Sequence, residues 1–426
     1  MLDIKYIREN QEVVRNVIKT KRVDFDLDQL LAVDEERRRL IQKSEAIRAE
    51  QKKTTDREKA GQLKTEFKDF EELLSRTEAE FKDLMLKVPN IPTEDTPIGA
   101  SEKDNVVIKK VGESRLSASG GDFPVKNHWE LAQELDLIDK ERAAKIAGSR
   151  FAYIKGDLVR LQFALIQFAM DQLTDKKTIQ KIIKKNNLKV SDKPFVPVLP
   201  PYLINTESYR ATGRLNSAEV TYKLEGEDLW LNASAEHSLA PMYQNEVLNE
   251  SELPIRYLGY TTAFRREAGT YGKDMEGILR MHQFDKLEME SFTVKEDGIN
   301  EHLFFVAVQE HLMEQLSLPF QVVLKCTAEI GMPNARGVDI EVWLPGQNAY
   351  RETHTADYMT DFQARRLRTL VRRSDNKTEL VHTNDATALS QRPLIAILEN
   401  FQQKDGSIEI PKVLRKYMGG QKEIKK

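Results

Sequence analysis

Between residues 30 and 47 a repeat advances by alternating steps of three and four: Leu30, Val33, Arg37, Leu40, Ser44 and Ile47. Phe67, Phe70, Leu74, Thr77, Phe81, Leu84 and Val88 repeat the rhythm after a polar break, KKTTDREKAGQ, that starts at Lys52. A heptad stripe predicts a helix that buries one seam against another helix. Each stripe is too short for a long filament, and the break is a few residues longer than a minimal turn. The pattern therefore predicts one antiparallel two-helix hairpin. It ends at Pro89-Asn-Ile-Pro92, where a helix cannot continue, and TEDTPIGASEKD reads as a linker to about residue 105.

The remainder alternates short β-rich runs (VVIKKV, FVPVLPPYLI, DLWLNA, FQVVLK, VDIEVWLP) with helical ones, such as residues 160–173 and 302–316. The alternation is not the regular one of a doubly wound sheet, so an antiparallel α+β domain is expected. Leu394, Ile397, Leu398 and Phe401 predict an amphipathic helix with Pro393 in its first turn. That places Arg392 at the helix N-terminus, where backbone donors already favour anions. SASGGDF, near Ser117, reads as a turn, and the tail GGQKEIKK as a solvated, mobile end.

In residues 261–292 the strand pattern puts charge where an apolar face is expected. Residues two apart share a face, so Ala263, Arg265 and Glu267 form one row and Arg280, His282, Phe284, Lys286 and Glu288 another. Leu279, Met281, Leu287 and Met289 form the packed side, interrupted by Gln283 and Asp285. The long loop between the two segments, 268–279, suggests a functional role. Arginine binds phosphate with a planar fork, a carboxylate can accept from an exocyclic amine, and a phenyl ring can stack on a base. The pattern suits a nucleotide; the plain alternative is the solvated face of a sheet. LNASAEHSLAP offers Ser234 and Glu236, and AYRETHTADY offers Arg351, Glu352, Thr353 and Thr355. Hydroxyls interleaved with a carboxylate can read an ammonium group or hold Mg²⁺; taken singly, they read as polar strand ends.

Composition narrows the field. The chain has 426 residues, 40% hydrophobic and 31% charged, with a net charge of −3. That length exceeds one ordinary domain, and nucleic-acid contact has to come from local patches. A lone cysteine, Cys326, excludes an internal disulfide, and 7 histidines without a metal-binding motif argue against a transition-metal centre. The charged start MLDIKYIREN is unlike a signal peptide, and no run of about 18 apolar residues could span a bilayer, so a cytoplasmic protein is expected. Neither common phosphate loop, of the P-loop or Rossmann type, is present.

Longer motifs point to a family. FRREAGTYGKDMEGILRMHQFDKLEM resembles the second signature motif of class II aminoacyl-tRNA synthetases in its seryl form, and LSQRPLIAILENFQ resembles the third. The stretch from AGSRFAYIKGDLVRLQFALIQFAMDQLT to LPPYL resembles the first, dimer-forming motif. With MLDIKYIREN, the heptad hairpin and WLPGQNAYRE…DFQARRLR, the similarity to bacterial-type seryl-tRNA synthetases covers essentially the whole chain. The resemblance implies an α+β fold: a class II antiparallel sheet flanked by helices (106–426) with an N-terminal antiparallel two-helix coiled-coil arm that binds tRNA (1–105). It implies a cytoplasmic homodimer that makes seryl-adenylate from serine and ATP with Mg²⁺. The seryl group then passes to serine tRNA, with selenocysteine tRNA a further candidate acceptor.

The resemblance also implies roles. Arg265 would hold the α-phosphate, Glu267 the adenine amine, Phe284 the adenine face and Arg392 the distal phosphates. Arg265 and Arg392 would be the catalytic pair, and Arg266, Thr353 and His354 would complete the ATP site. Glu352 and Thr355 would bind Mg²⁺. Ser234, Ala235, Glu236, Arg265, Glu288 and Thr387 would surround serine. The chain departs from the family where SAEHSL replaces the common Thr-Ala-Glu-Val-Pro, and where DATALSQR is one residue short before its arginine. Arg336 stands where lysine is usual, and His354 where a small serine is common.

The hairpin carries Arg37, Arg38, Arg39, Lys43, Arg48, Lys52, Lys53, Arg57, Lys59, Lys64 and Lys68 among acids. Such a surface is ordinarily just solvated. The resemblance implies that it lies along the long variable arm of serine tRNA, reading shape and phosphate. The basic run 365–373 is either a further RNA contact or a structural element. A carrier-protein ligase would lack the arm, a non-catalytic paralogue would be expected to lose Arg265, Glu267 or Arg392, and the glycine, threonine and proline enzymes usually append an anticodon-binding domain.

Overall fold

The computed structural model describes residues 1–114, 116, 123–215, 221–267 and 277–426. The turn expected at SASGGDF and most of the loop 268–279 lie outside the described residues. The chain divides into two compact units, Met1–Ile91 and Pro92–Lys426.

In the first unit, short helices α1 (Ile4–Glu9) and α2 (Gln11–Thr20) precede two long ones, α3 (Leu27–Lys53) and α4 (Arg57–Met85). Asp26 and Asp56 cap the long helices, each accepting from two backbone amides of the first turn. The Asp56 cap starts α4 inside the expected break, leaving only residues 54–56 as the turn. Leu30, Leu40, Ser44 and Ile47 are buried along α3, and Thr77 and Leu84 along α4. Phe67, Phe70 and Phe81 are only half-buried. Cations of α3 roof them: Arg37 lies 4.7 Å from the Phe81 ring, Lys43 5.3 Å from Phe70 and Arg48 4.7 Å from Phe67. Asp34, buried on the same seam, is neutralised by Arg38 at 3.2 Å, Arg8 at 3.7 Å and Arg37 at 3.9 Å.

The second unit begins earlier than residue 105. Thr93 N–H donates to the Ala335 carbonyl at 2.8 Å, and Arg336 Nε to Asp95 Oδ2 at 2.9 Å. The side-chain carbonyl of Asn105 accepts from Cys326 N at 2.8 Å. These bonds hold residues 92–105 to the sheet as part of its own unit.

Its frame is an eight-stranded sheet. In chain order the strands are β1 (Val106–Val111), β2 (Val196–Val198), β3 (Ile255–Phe264), β4 (Gln283–Thr293), β5 (Phe320–Leu324), β6 (Arg336–Leu344), β7 (Ala349–Thr360) and β8 (His382–Ser390). In space they run β1-β5-β6-β7-β8-β4-β3-β2, antiparallel except at the β2–β3 edge. Leu287, Met289, Ile340, Ala356 and Ala386 face a core built with helices α5 (Asp157–Thr174), α8 (Gly298–Leu316) and α9 (Arg392–Asn400). Two short helices, α6 (Thr206–Thr212) and α7 (Glu236–Leu239), come between β2 and β3 in sequence. Arg256 of β3 is fully buried and forks onto Glu301 of α8, at 2.5 and 2.8 Å. The same guanidinium donates to the carbonyls of Ser191 and Lys193 and lies 4.3 Å from the Phe304 ring.

Two expectations change, and one open alternative gains structural contacts. The charged rows of 263–289 are not all strand: β3 ends at Phe264 and β4 starts at Gln283. Arg265 N–H still bonds the His282 carbonyl at 2.9 Å, but Glu267 turns away with φ +49. The tail is not free, because Glu423–Ile424 pairs with Ile408–Glu409 and buries Ile424. The basic run 365–373 is tied into structure. Arg365 bonds Asp361 at 2.5 Å, Arg366 lies 4.3 Å from the Phe362 ring, and Arg373 reaches Glu296 at 3.0 Å.

Candidate active site

With Leu287 and Met289 committed to the core, alternation sends Phe284, Lys286, Glu288 and Glu290 of β4 to the opposite face. Two β-bulges then bring neighbouring strands into line. On β7 the extra residue is Thr353: Ile340 pairs with His354 and Glu341 with Glu352. On β8 it is Ala388, between the pairs Thr387–Glu288 and Leu389–Leu287. A bulge re-aims the side chains that follow it. Glu352 thereby shares a face with Thr355 and Asp357, and Ser390 with Thr387 and Asp385. Gln309 of α8 braces both bulged strands, donating at 2.8 Å to each of the Thr355 and Thr387 carbonyls.

Phe284, Lys286, Glu288, Glu352, Thr355, Asp357, Asp385, Thr387 and Ser390 line a cavity of about 260 Å³, with Arg265, Glu267 and Arg280 after β3 and before β4, Glu236 of α7, and Arg392 at the start of α9. Arg265 donates from Nε to the Ala233 carbonyl at 3.1 Å, and its guanidinium lies 5.2 Å from the centre of the Phe284 ring. Arg280 pairs with Glu267 at 3.0 Å. Arg392 donates to the Glu352 carbonyl at 2.6 Å and lies 3.3 Å from its carboxylate. Thr387 donates to Glu288 Oε1 at 3.0 Å. Lys286 is paired with Glu288 and also donates to Ser234 Oγ at 3.0 Å. Thr355 Oγ1 donates to Asp339 Oδ1 at 2.8 Å and lies 3.4 Å from Glu352 Oε1.

The electrostatics follow from crowding charge on a half-enclosed floor. Burial pushes the Glu288 carboxyl up, and the nearby Glu236 adds to this, so that even beside Lys286 it sits at about 7. At Glu236 burial is outweighed by Lys286 and Arg214, and the carboxyl lies well below its ordinary range. Enclosure also acts on Glu352, but Arg392 and Lys325 prevail and hold it at about 2. Burial raises Asp339 to about 7 although Lys325 opposes it.

Of the residues singled out from sequence, Glu236, Arg265, Glu267, Phe284, Glu288, Glu352, Thr353, Thr355, Thr387 and Arg392 all line this cavity. Ser234 and Ala235 sit one layer behind, both buried, with Ser234 Oγ 3.4 Å from Glu288. Two others are elsewhere. Arg266 is exposed and outside the cavity lining. His354 alternates to the core face and is fully buried, with Nδ1 2.8 Å from Thr353 Oγ1. His282 leaves its expected row because β4 has not yet begun; its ring packs 5.2 Å from Phe151, and its Nδ1–H donates to the Arg265 carbonyl. Leu279 and Met281, expected on the packed side, do pack with the core, and they also border the cavity.

Sequence reasoning missed a second row of acids one step deeper. Asp385 lies opposite both Glu290 and Asp357. Arg214, just after α6, bonds Asp385 at 2.7 Å and Asp357 at 3.3 Å. Burial and mutual repulsion push the Glu290 and Asp385 carboxyls well up. The signal was present as single acids on buried strands, Glu290 in LEMESF and Asp385 in HTNDATALS.

A family model for the tRNA synthetase class II core domain (G, H, P, S and T) matches residues 220–401, and one for the seryl-tRNA synthetase N-terminal domain matches residues 1–57. The serine–tRNA ligase of Citrifermentans bemidjiense is 40% identical, with 100% of both chains covered. That of Nitrosopumilus maritimus is 38% identical, also over 100% of both. Among solved structures, the seryl-tRNA synthetase of Pyrococcus horikoshii complexed with ATP superposes with a TM-score of 0.88 at 35% identity, covering 100% of this chain and 99% of that one. The cytoplasmic enzyme of Naegleria fowleri in complex with AMP gives 0.86 at 29% identity, with 100% and 99% covered. Similar over its full length to enzymes of one specificity, and with its sheet carrying the charged floor described above, the chain belongs to the seryl-tRNA synthetase family of class II aminoacyl-tRNA synthetases.

Proposed function

We propose that the cavity on the polar face of the sheet is where serine and ATP are joined. The observation that carries this is the meeting, in one cavity, of Arg265, Glu267 and Phe284 with Arg392 and with the carboxylates Glu236 and Glu288. Phe284 offers a base its face and Glu267 an acceptor for the exocyclic amine, while Arg265 and Arg392 take the phosphates. Glu236 and Glu288, with Ser234 and Thr387 hydroxyls at hand, receive the ammonium and hydroxyl of serine. A serine carboxylate oxygen then bonds to the α-phosphorus, the bond from that phosphorus to the β-phosphate oxygen breaks, and pyrophosphate leaves. In the second step the terminal ribose hydroxyl of tRNA takes the seryl carbonyl and AMP leaves. No side chain forms a covalent bond; the work is alignment and stabilisation of charge on phosphate oxygens.

Glu352 and Thr355 fit Mg²⁺: both present oxygen donors, 3.4 Å apart, and Glu352 is held ionised. When bound, the ion supplies charge neutralisation on phosphate oxygens.

Serine binding should depend on pH through Glu288. An acid raised to about 7 is ionised above that value, and the ionised form is the one that attracts an ammonium and accepts from a hydroxyl. The expected result is that KM for serine rises as pH falls below about 7, by up to roughly tenfold per unit, and that Glu288→Gln flattens the profile. A flat wild-type profile between pH 6 and 8 would show that Glu288 does not titrate against serine.

The N-terminal arm is assigned to tRNA, and the catalytic unit to a homodimer. Phe163 on α5 is 57% exposed and borders an apolar groove with Val159, Ile166, Met170, Tyr260 and Tyr417, a face that a second copy would cover. Lys52, Lys53, Lys64 and Lys68 make no ion pair among the described residues, unlike Arg48 and Lys59. Replacing these four by alanine is expected to raise KM for serine tRNA roughly tenfold and to reduce its salt dependence, with KM for serine unchanged. An unchanged KM for tRNA at two salt concentrations would remove this surface from tRNA binding.

A further inference from the structure

Behind Glu236 lies a chain of polar contacts, one hydrogen bond and one ion-pair contact, that the roles assigned so far do not use. His237, buried on α7, has Nδ1 2.8 Å from Tyr209 Oη and Nε2 3.4 Å from Glu236 Oε1. Tyr209, on α6, is itself fully buried, its ring centre 4.9 Å from that of His237. The proton positions follow from what each partner can do. Glu236 is ionised and can only accept, so Nε2 must carry the proton. Nδ1 then has a lone pair, and the Tyr209 hydroxyl donates to it. The ring stays neutral, because burial, with Arg214, Arg265 and Lys286, outweighs the pull of Glu236 toward a second proton. Tyr209 keeps its hydroxyl proton for the same reason of burial, with Glu236 adding to it.

This chain occupies one oxygen of Glu236 and leaves the other. Oε2 has no hydrogen-bond partner among the described residues, although it is buried, and Glu236 lines the cavity. A buried carboxylate oxygen without a donor is costly, and an ammonium ligand removes that cost. The loop that carries His237, SAEHSL, departs from the common family pattern at this residue.

We propose that His237, oriented by Tyr209, is a positioning residue for serine binding: it fixes one oxygen of Glu236 so that the other faces the ammonium group of the amino acid. Serine is held by Glu236, and Glu236 is held by His237; the inference rests on the assignment of Glu236 to the ammonium. Its effect falls on serine and not on ATP, since neither ring lines the cavity.

The test is serine-dependent pyrophosphate–ATP exchange by the full chain, with KM for serine, KM for ATP and kcat measured separately. His237→Leu should raise KM for serine roughly tenfold, and Tyr209→Phe roughly threefold, while KM for ATP and kcat stay within about twofold. His237→Gln, which returns an N–H donor at similar reach, should recover most of the loss. A merely structural role would move both KM values together and show no such recovery, and that outcome overturns the proposal. Should His237→Leu fail to fold, Tyr209→Phe decides, since it keeps the ring and removes one hydroxyl. Glu236→Gln separates the two layers. If it raises KM for serine while Tyr209→Phe and a folded His237→Leu do not, only the positioning role falls. If it too leaves KM unchanged, the ammonium assignment falls with it.

Discussion

Arg265→Ala is expected to slow serine-dependent pyrophosphate–ATP exchange by roughly 100- to 1,000-fold, about 3–4 kcal/mol of transition-state stabilisation. The guanidinium is held in place before any ligand arrives, by the Ala233 carbonyl at 3.1 Å and the Phe284 ring at 5.2 Å. Such preorganisation lets a charge act on a phosphate without reorganising at the moment of reaction. Arg265 lines the cavity and is not part of the core cluster, so its loss should leave thermal unfolding nearly unchanged. The loss should appear mainly in kcat, because charge on the α-phosphate oxygens is redistributed as the bond to the β-phosphate breaks. Exchange kinetics with unfolding curves on the same preparation check this. A variant within a few-fold of wild type would mean that the α-phosphate lies elsewhere.

The largest stability effect is expected at Glu301. Glu301→Ala leaves Arg256 charged and buried with only two backbone carbonyls, a change that costs about 3–5 kcal/mol. Both side chains are at most 2% exposed, so water cannot replace the lost carboxylate. The cost of a broken pair exceeds the worth of an intact one, because desolvation of both ions offsets most of their attraction. Replacing both residues, Arg256→Met with Glu301→Leu, should therefore recover most of the loss. Thermal unfolding of the single and double variants measures this. A Glu301→Ala midpoint within about 1 °C of wild type would contradict it.

Much of this was legible in the sequence, and the exceptions have physical reasons. The arm was readable because burial follows a heptad; its turn was misjudged because one aspartate, Asp56, caps α4 and draws DREKAGQ into the helix. The charged face of β4 followed from period-two alternation, anchored by Leu287 and Met289. Alternation failed just before the strand, where His282 precedes it. It failed again wherever a bulge intervenes. Glu352 and Thr355, three apart, share a face only because Thr353 is an extra residue, and nothing in the local pattern announces it. His354 was misplaced for the same reason: its neighbours in sequence line the cavity, while its side chain enters the core. The acids of the deeper row could be read singly, but not their meeting with Arg214, because the row joins three strands and a residue after α6 that are far apart in sequence. Residue roles came from the resemblance, and the structure adds which of those residues share one cavity.

The measurement that bears most directly on the central claim is pyrophosphate–ATP exchange by the full chain without tRNA, run in parallel with serine, threonine, glycine and alanine. Exchange with serine is predicted, with alanine and glycine slower by at least about 10⁴-fold, since a site built to hydrogen-bond a hydroxyl rejects analogues lacking it. Threonine should also be slower, its extra methyl group having to fit beside Glu288 and Thr387. Folded protein that gave no exchange with any of the four would contradict the assignment of amino-acid activation to this cavity.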